Sequence, residues 1–165
     1  MNITLIGMPG SGKSTVGRLL AGKLGWDFLD VDPLITAACA EASLQAVLDS
    51  LGPDAFLDKE AEVIAGLSCD NTVLSPGGSA VLREKGALRL KELGPVVYLD
   101  LPCPVLEKRL WNLSSRGVPL APGQTLRDLY EQRLPYYQKY ADLTVQADRP
   151  RPQDTAAAIL RALEL

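Results

Sequence analysis

The segment NITLIGMPGSGKST, residues 2–15, places a short apolar run directly before a glycine-rich turn. Ile3, Leu5 and Ile6 are apolar and largely β-branched, which is typical of a strand buried in a sheet. After the turn, residues 14–24 have the apolar spacing of a helix. A buried strand that leads through a tight turn into a helix indicates an α/β fold.

The rest of the chain repeats this alternation of short apolar runs and longer segments with helical spacing. Strands are predicted at Ile3–Ile6, Phe28–Leu29, Thr72–Leu74, Val96–Leu99 and Leu143–Val145. Helices are predicted at residues 14–24, 33–40, 43–50, 54–66, 79–92, 103–113, 124–140 and 153–163. Since a chain of 165 residues is normally one domain, we expect a single α/β domain over 1–165 with a parallel sheet.

Composition narrows the classes of function. The chain is 47% hydrophobic and 22% charged, and its net charge of -3 argues against a general nucleic-acid or anionic-membrane surface. No apolar stretch approaches the ~18 residues of a membrane span, and the sequence opens on a strand rather than a leader. We therefore expect a cytoplasmic protein without a nucleic-acid or membrane partner; we also expect a monomer, although no sequence feature decides the oligomeric state.

The residue content also excludes several kinds of site. The sequence contains no histidine, so His-based triads, His-metal sites and His general bases are ruled out. Cys39, Cys69 and Cys103 are widely separated and show no CxxC spacing, which argues against a zinc site or a disulfide framework.

Residues 7–15, GMPGSGKST, carry the pattern G-x-x-x-x-G-K-[ST] of a phosphate-binding loop. Glycines let consecutive backbone N–H groups turn towards phosphate oxygens, and the following helix adds its positive dipole end. Lys13 reaches the β- and γ-phosphates, and Ser14 offers an oxygen to Mg²⁺. A turn that uses glycine only for tightness is the alternative, but the pattern arises by chance in only about one chain in a hundred. We assign the nucleotide site to Gly10, Ser11, Gly12, Lys13, Ser14 and Thr15.

The phosphate loop alone does not separate GTPases, ATPases and kinases. A GTPase requires an N-K-x-D motif that reads guanine, and the sequence has none. The chain is also too short for most motor or transporter ATPases. A small kinase is the class that fits, and it requires a second site for the acceptor.

Two segments supply candidate residues for that second site. FLDVD, residues 28–32, puts Asp30 and Asp32 at the carboxyl edge of the sheet, where open α/β sheets bind ligands. One carboxylate is predicted to organise Mg²⁺ water and the other to accept from a substrate hydroxyl; the alternative for Asp32 is an N-cap before Pro33. SPGGSA, residues 75–80, follows the third strand, and its paired glycines either admit a ligand or form a plain turn.

Taken together, these segments resemble the shikimate kinases, a family of nucleoside-monophosphate-kinase-like P-loop proteins. The resemblance spans essentially the whole chain, through GMPGSGKST, FLDVD, AFLDKE, SPGGSA and EQRLPYYQKYAD in that order. It implies a three-layer α/β/α P-loop NTPase fold with a five-stranded parallel sheet, a mobile lid over about 113–124 and an acceptor-binding helical region over about 32–62. It also implies transfer of the γ-phosphoryl group of ATP, with Mg²⁺, to a hydroxyl of a small carboxylate-bearing metabolite in amino-acid biosynthesis.

The resemblance divides the matching residues between the two substrates. Those expected to hold ATP and the metal are Lys13, Ser14 and Asp30. Those expected to hold the acceptor are Asp32 at its hydroxyl, Arg133 at its carboxylate, and Gly77 and Gly78 along the pocket. The predicted catalytic residues are Lys13, Asp32 and Arg116.

Four positions depart from the family pattern. Leu57 stands where the family has an arginine in an F-R-x-x-E segment, which removes the main partner of the acceptor carboxylate. Val118 replaces the lid arginine before Pro-Leu, and Arg116, two residues upstream, is the candidate substitute. Trp111 replaces an adenine-side arginine and either stacks on the base or packs in a core. Ser79 replaces the third glycine of the acceptor loop, where its hydroxyl either enters the pocket or caps a helix.

The change at Leu57 alters the predicted acceptor. Each bond of a bidentate arginine-carboxylate pair contributes about 1.5 to 3 kcal/mol, so its loss should weaken shikimate binding by roughly 10²- to 10⁴-fold. A leucine facing the carboxylate would penalise the anion further. We therefore expect an acceptor with less negative charge, such as homoserine, whose ammonium would approach Asp32 or Asp58.

Two alternatives stay open at this point. Shikimate is the acceptor if a nearby basic residue restores the lost charge, the candidates being Lys59, Arg83 and Arg116. A function of another class is a catalytically weak nucleotide sensor that acts through a partner protein, in which the missing arginines reflect lost chemistry.

Overall fold

A computed structural model of the chain describes residues 1–110 and 120–165. Within them, five parallel strands form one sheet in the order β2-β3-β1-β4-β5, flanked by eight helices. The strands are β1 (Ile3–Ile6), β2 (Asp27–Asp30), β3 (Thr72–Ser75), β4 (Val96–Asp100) and β5 (Leu143–Gln146). The helices are α1 (Lys13–Leu24), α2 (Asp32–Ala38), α3 (Leu44–Leu51), α4 (Pro53–Ala65), α5 (Glu84–Leu93), α6 (Cys103–Arg109), α7 (Leu126–Tyr140) and α8 (Pro152–Ala162). The predicted α/β/α fold with a five-stranded parallel sheet is confirmed.

Strand β1 lies at the centre of the sheet, between β3 and β4. All of its residues are buried, and it pairs in parallel with both neighbours. Strand β2 pairs with the outer side of β3, where Asp30 is the register partner of Ser75. Because the strands are parallel, the carboxyl ends of β1, β2 and β3 meet at one edge, and the segments that follow them share that edge.

The turn after β1 enters α1 through a backbone conformation that favours glycine. Gly12 is the N-cap of α1 and has a φ of 93°, in the left-handed region where a side chain is strained. Its neighbour Lys13 is the first residue of the helix. Since the first N–H groups of a helix have no partner within it, this end of α1 presents donors to a ligand.

Helix α7 docks on β4 through stacked aromatic rings. The ring centroids of Tyr98 in β4 and Tyr137 in α7 are 5.0 Å apart, with planes inclined by 20°. The Tyr137 hydroxyl then donates a 2.5 Å hydrogen bond to the carbonyl oxygen of Gly78. This bond ties α7 to the loop after β3, and it brings Arg133, one helical turn earlier, beside the same loop.

The helix predicted at 79–92 starts five residues late, because residues 78–83 form turns and α5 begins at Glu84. The reason is tertiary: the Ser79 hydroxyl bonds to Glu60 on α4 instead of capping a helix. The Ser79 alternative in which the side chain caps a helix is therefore wrong.

The helix predicted at 103–113 ends at Arg109, and Leu110 leaves the helical region with a ψ of 50°. The Leu110 side chain is buried against Gly10 of the phosphate loop, and a Cβ added to Gly10 would lie 2.9 Å from it. Packing against that loop therefore ends the helix early. None of the helices in the described ranges is long and apolar enough to cross a bilayer.

Candidate active site

A cavity of about 590 Å³ opens where the carboxyl ends of β1, β2 and β3 meet. Ten residues that the sequence assigned to the nucleotide, metal or acceptor line it: Gly10, Gly12, Lys13, Ser14, Thr15, Asp30, Asp32, Gly77, Gly78 and Arg133. The sequence interpretation therefore predicted residues that the fold brings together around one cavity.

Lys13 sits inside the phosphate loop and bonds to the loop's own backbone. Its ammonium donates to the carbonyl oxygens of Gly7 and Met8, each at 2.9 Å, and lies 3.4 Å from Ser11 Oγ. Burial lowers the pKa of Lys13 to about 8, and the charge of Asp32 opposes that shift. Ser11 is buried beneath the loop and acts on the site through this contact rather than by lining the cavity.

The candidate metal site at the sheet edge consists of the Ser14 hydroxyl and the Asp30 carboxylate. Ser14 Oγ lies 3.5 Å from Ser75 Oγ, and Ser14 and Asp30 both line the cavity. The Asp30 carboxylate also accepts a 3.1 Å bond from the backbone N–H of Asp32. Mg²⁺ usually takes one or two protein oxygens and completes its octahedron with water and substrate phosphates, so a hydroxyl and a carboxylate fit it.

Asp32 is the first residue of α2, and its side chain does not cap that helix. The N-cap position belongs to Val31, so the capping alternative for Asp32 is wrong. Asp32 Oδ1 is buried and accepts no hydrogen bond from residues 1–110 or 120–165. Burial, followed by the charge of Asp30, raises the pKa of Asp32 to about 6, while Lys13 opposes the rise. A carboxylate oxygen in this state is available to a donor on the acceptor.

Arg133, on α7, lines the cavity, and its guanidinium has donors without a partner among the described residues. Only 1% of the residue is exposed, and its Nε and Nη2 have no hydrogen-bond partner in the part of the chain that is described. A Cβ added to Gly78 would lie 2.9 Å from Arg133 Nη1, so the glycine leaves room for the guanidinium. A buried cation with free donors is suited to an anionic group of a ligand.

Glu60 is a site residue that the sequence interpretation did not assign. It is 2% exposed on α4, it lines the cavity, and its Oε1 accepts a 2.7 Å bond from Ser79 Oγ. Burial raises the pKa of Glu60 to about 7; the Ser79 bond opposes the rise, and the nearby charge of Asp32 adds to it. The signal was present in AFLDKE, which keeps the glutamate of the family segment while losing its arginine.

The other residues near Leu57 do not supply the missing charge. Leu57 is half-buried against the hydrophobic core and is not among the cavity-lining residues. Arg83 bonds to Asp58 at 2.8 Å, and Lys59 pairs with Glu62 at 3.4 Å, all outside the cavity. Among the described residues, Lys59 and Arg83 therefore do not restore the carboxylate partner, and Asp58 does not face an acceptor.

The predictions at Trp111, Arg116 and Val118 lie outside the described residues, as does the predicted lid up to residue 119. The structure adds Arg109 to the cavity at the end of α6, where its Nη1 donates a 3.1 Å bond to the Gly10 carbonyl. Leu44, the first residue of α3, also lines the cavity. No local sequence signal points to either residue, because both reach the site through tertiary packing.

A family model described as "Shikimate kinase" matches residues 9–164, nearly the whole chain. The chain belongs to the shikimate kinase family. It is accordingly a small-molecule kinase that transfers a phosphoryl group to a hydroxyl, and its family uses ATP as the phosphate donor.

Individual proteins show the same relationship. The shikimate kinase of Chromohalobacter salexigens is 40% identical over 164 residues, which cover 96% of this chain and 89% of that protein. A structure of shikimate kinase from Acinetobacter baumannii in complex with shikimate superposes with a TM-score of 0.89 at 34% identity, covering 99% of this chain and 92% of the other. Human threonine synthase-like 1 is 34% identical over 165 residues, which cover 99% of this chain but 22% of that protein.

Proposed function

We propose that this member of the family phosphorylates the hydroxyl group of a small hydroxy amino acid such as homoserine, in place of shikimate, using MgATP. The observation that carries the proposal is the charge of the acceptor side of the cavity. Arg133, Asp32 and Glu60 line it together, and the position that the family fills with a second arginine is Leu57. An acceptor with one carboxylate and one ammonium group matches this balance better than a ring acid that carries only an anion.

The nucleotide side is proposed to hold the triphosphate against the start of α1. The backbone N–H groups from Gly10 to Thr15 and the Lys13 ammonium would bind its phosphate oxygens. Lys13 already occupies the centre of the loop, so it needs only to exchange backbone carbonyls for the β- and γ-oxygens. Ser14 and Asp30 are the proposed holders of Mg²⁺, which when bound neutralises charge on the transferring group.

The proposed reaction is an in-line transfer that depends on positioning and charge. The acceptor oxygen forms a bond to the γ-phosphorus while the bond from that phosphorus to the β,γ-bridging oxygen breaks and ADP leaves. Asp32 orients the hydroxyl and takes its proton at Oδ1, the oxygen without a partner among the described residues. Arg133 fixes the other end of the acceptor through its carboxylate.

The comparisons bear on the acceptor in two ways. The solved relative from A. baumannii is a complex with shikimate, which makes shikimate the competing acceptor. The relatives named threonine synthase-like 1, whose name refers to a hydroxy amino acid, carry a region that matches 99% of this chain. The matched region is 22% of that protein and the name describes the whole, so the second relationship makes hydroxy amino acids acceptors to be tested.

The proposal is tested by measuring ATP-dependent ADP release with L-homoserine, L-serine, L-threonine and shikimate as separate acceptors. We expect kcat/KM to be highest for a hydroxy amino acid, and about 10²-fold or more above that for shikimate. Efficient transfer to shikimate would refute the altered acceptor and leave the kinase activity in place. Tight nucleotide binding without transfer to any acceptor would favour the nucleotide sensor.

A further inference from the structure

We propose that Glu60 recognises the ammonium group of the acceptor and that Ser79 holds the Glu60 carboxylate in position for this contact. This inference rests on the proposed function, since it identifies the residue that selects an amino acid at the same site. It assigns a specificity-determining role to a pair made of Glu60, which the family segment also has, and Ser79, which departs from the family pattern.

The first observation is that two carboxylate oxygens converge on one point of the acceptor loop. A Cβ built on Gly77 would lie 3.1 Å from Glu60 Oε2 and 3.3 Å from Asp32 Oδ1. The two oxygens therefore face the same side of Gly77, where Glu60 Oε2 is assigned to the ammonium and Asp32 Oδ1 to the hydroxyl of the acceptor.

The second observation is that the two carboxylate oxygens of Glu60 differ in their hydrogen bonds. Oε1 accepts from Ser79 Oγ at 2.7 Å, and Oε2 accepts no hydrogen bond from any residue that the structure describes. The Ser79 bond fixes the plane of the carboxylate, because one oxygen is tied to the loop that forms the cavity wall. The other oxygen stays free for a ligand.

The third observation is the adjacent placement of the opposite charge. Arg133 Nη1 lies 2.9 Å from the point where a Cβ of Gly78 would be, one residue along the chain from the point shared by the two carboxylates. An α-amino acid carries its ammonium and carboxylate on the same carbon, so it suits a loop that has carboxylate oxygens beside one residue and a guanidinium beside the next.

The remaining charges near Glu60 agree with this role. The charged groups around it on the described elements are Asp32 on α2, Lys13 on α1 and Arg133 on α7. Lys13 is held by the carbonyls of the phosphate loop and is assigned to ATP, and Arg133 is assigned to the acceptor carboxylate. The ammonium of the acceptor would be the cation that pairs with Glu60.

The test compares L-homoserine with 4-hydroxybutyrate, which has the same carboxylate and hydroxyl but no ammonium. In the unmodified protein we expect a preference, measured as a ratio of kcat/KM values, for L-homoserine. Glu60→Gln keeps the acceptor oxygen for Ser79 but removes the charge, so it should lower that ratio by roughly 10- to 100-fold, mainly through KM. Glu62→Gln, which changes an exposed carboxylate on the same helix, is the matched control and should keep the ratio within about twofold.

A second variant separates the recognition role from a structural one. Ser79→Ala keeps the Glu60 side chain but releases its carboxylate, so the ratio should fall by several-fold, less than in Glu60→Gln. Calorimetric titration of L-homoserine into the ADP-saturated protein reports the same loss of affinity without turnover. An unchanged ratio in Glu60→Gln, or an equal loss of activity with both acceptors, would overturn the inference.

The outcome also distinguishes this inference from the function on which it rests. Phosphorylation of shikimate but of no hydroxy amino acid overturns the role of Glu60 and leaves the phosphotransferase activity intact. Phosphorylation of homoserine with an unchanged Glu60→Gln ratio overturns the role of Glu60 and leaves the proposed acceptor intact. Absence of transfer to all acceptors, together with no binding of L-homoserine, overturns both.

Discussion

The Ser79 hydroxyl donates a 2.7 Å hydrogen bond to Oε1 of Glu60, and this bond links the loop after β3 to helix α4. Both residues are buried, at 5% and 2% exposure, and both line the cavity. The family pattern has glycine at the first position and an arginine near the second, at Leu57. Ser79 is the departure from the pattern in this contact, since Glu60 is the glutamate that the chain keeps and Leu57 does not line the cavity.

Glu60 should make the stability of the protein depend on pH. Burial raises its pKa from 4.5 to about 7 in the folded state, so the folded protein binds a proton more readily than the unfolded chain between these values. The free energy of unfolding should then fall as the pH rises through this window, by up to about 3 kcal/mol. Glu60→Gln removes this contribution, so its stability relative to the unmodified protein should be greater at pH 8 than at pH 4.

Urea denaturation of both proteins across that pH range measures the effect. Asp32 and Lys13 are titratable groups close to Glu60. Both occur in the two proteins, so the comparison largely cancels their contributions to the pH dependence. Parallel pH profiles for the two proteins would contradict the assignment of the shift to Glu60.

Lys13→Ala should abolish transfer, with a fall in kcat of at least about 10²-fold, because the variant loses the cation at the centre of the phosphate loop. The loop carbonyls of Gly7 and Met8 lose a partner as well, so circular dichroism should accompany the ADP-release assay to show that the fold persists. Lys23→Ala, at the exposed end of the same helix, is the control and should retain activity. Unchanged turnover in Lys13→Ala would remove the loop from the reaction.

Gly78→Ala should damage both packing and acceptor binding. The added Cβ would lie 2.8 Å from Pro9 Cδ and 2.9 Å from Arg133 Nη1, so the guanidinium must move. We expect a loss of about 1–3 kcal/mol in stability and a raised KM for the acceptor. Gly22→Ala lies in α1 with no atom within 4 Å of the new Cβ, and it should instead stabilise the protein by about 0.4–1 kcal/mol. Equal effects of the two variants in urea denaturation would count against the crowding at Gly78.

Tyr137→Phe should loosen the acceptor loop while keeping the ring stack on Tyr98. It removes the hydroxyl that donates to the Gly78 carbonyl, which should lower the free energy of unfolding by about 1 kcal/mol and raise the acceptor KM by several-fold. Tyr136→Phe is the matched control, because Tyr136 is the next residue along the chain and is 40% exposed. A larger rise in acceptor KM for Tyr136→Phe than for Tyr137→Phe would show that the Gly78 contact does not position the loop.

Much of the fold follows from local rules that the sequence displays. The strand, glycine turn and helix at residues 3–24 are set by apolar spacing and by the left-handed backbone at Gly12, and the structure has them there. The meeting of Asp30 and Asp32 with the phosphate loop follows from parallel strands, whose carboxyl ends share one edge.

The parts that sequence reasoning missed depend on contacts between distant elements. Ser79 was expected in or near a helix start, and its bond to Glu60 exists only because α4 packs beside the loop after β3. Sequence reasoning did not assign Arg109 to the site, because Arg109 and its partner Gly10 are 99 positions apart in the sequence. Side-chain partners that are set by packing, rather than by spacing along one element, are not encoded in any local pattern.

A competition for one pool of enzyme decides between the two acceptors. The protein is given MgATP with equal concentrations of L-homoserine and shikimate, and the phosphorylated products are quantified by mass spectrometry at early times, when their ratio equals the ratio of kcat/KM values. The charge balance of Arg133, Asp32 and Glu60 predicts phosphorylated homoserine in about 10²-fold excess. Predominant phosphorylated shikimate would show that the cavity recognises the ring acid despite Leu57, and would contradict the proposed acceptor.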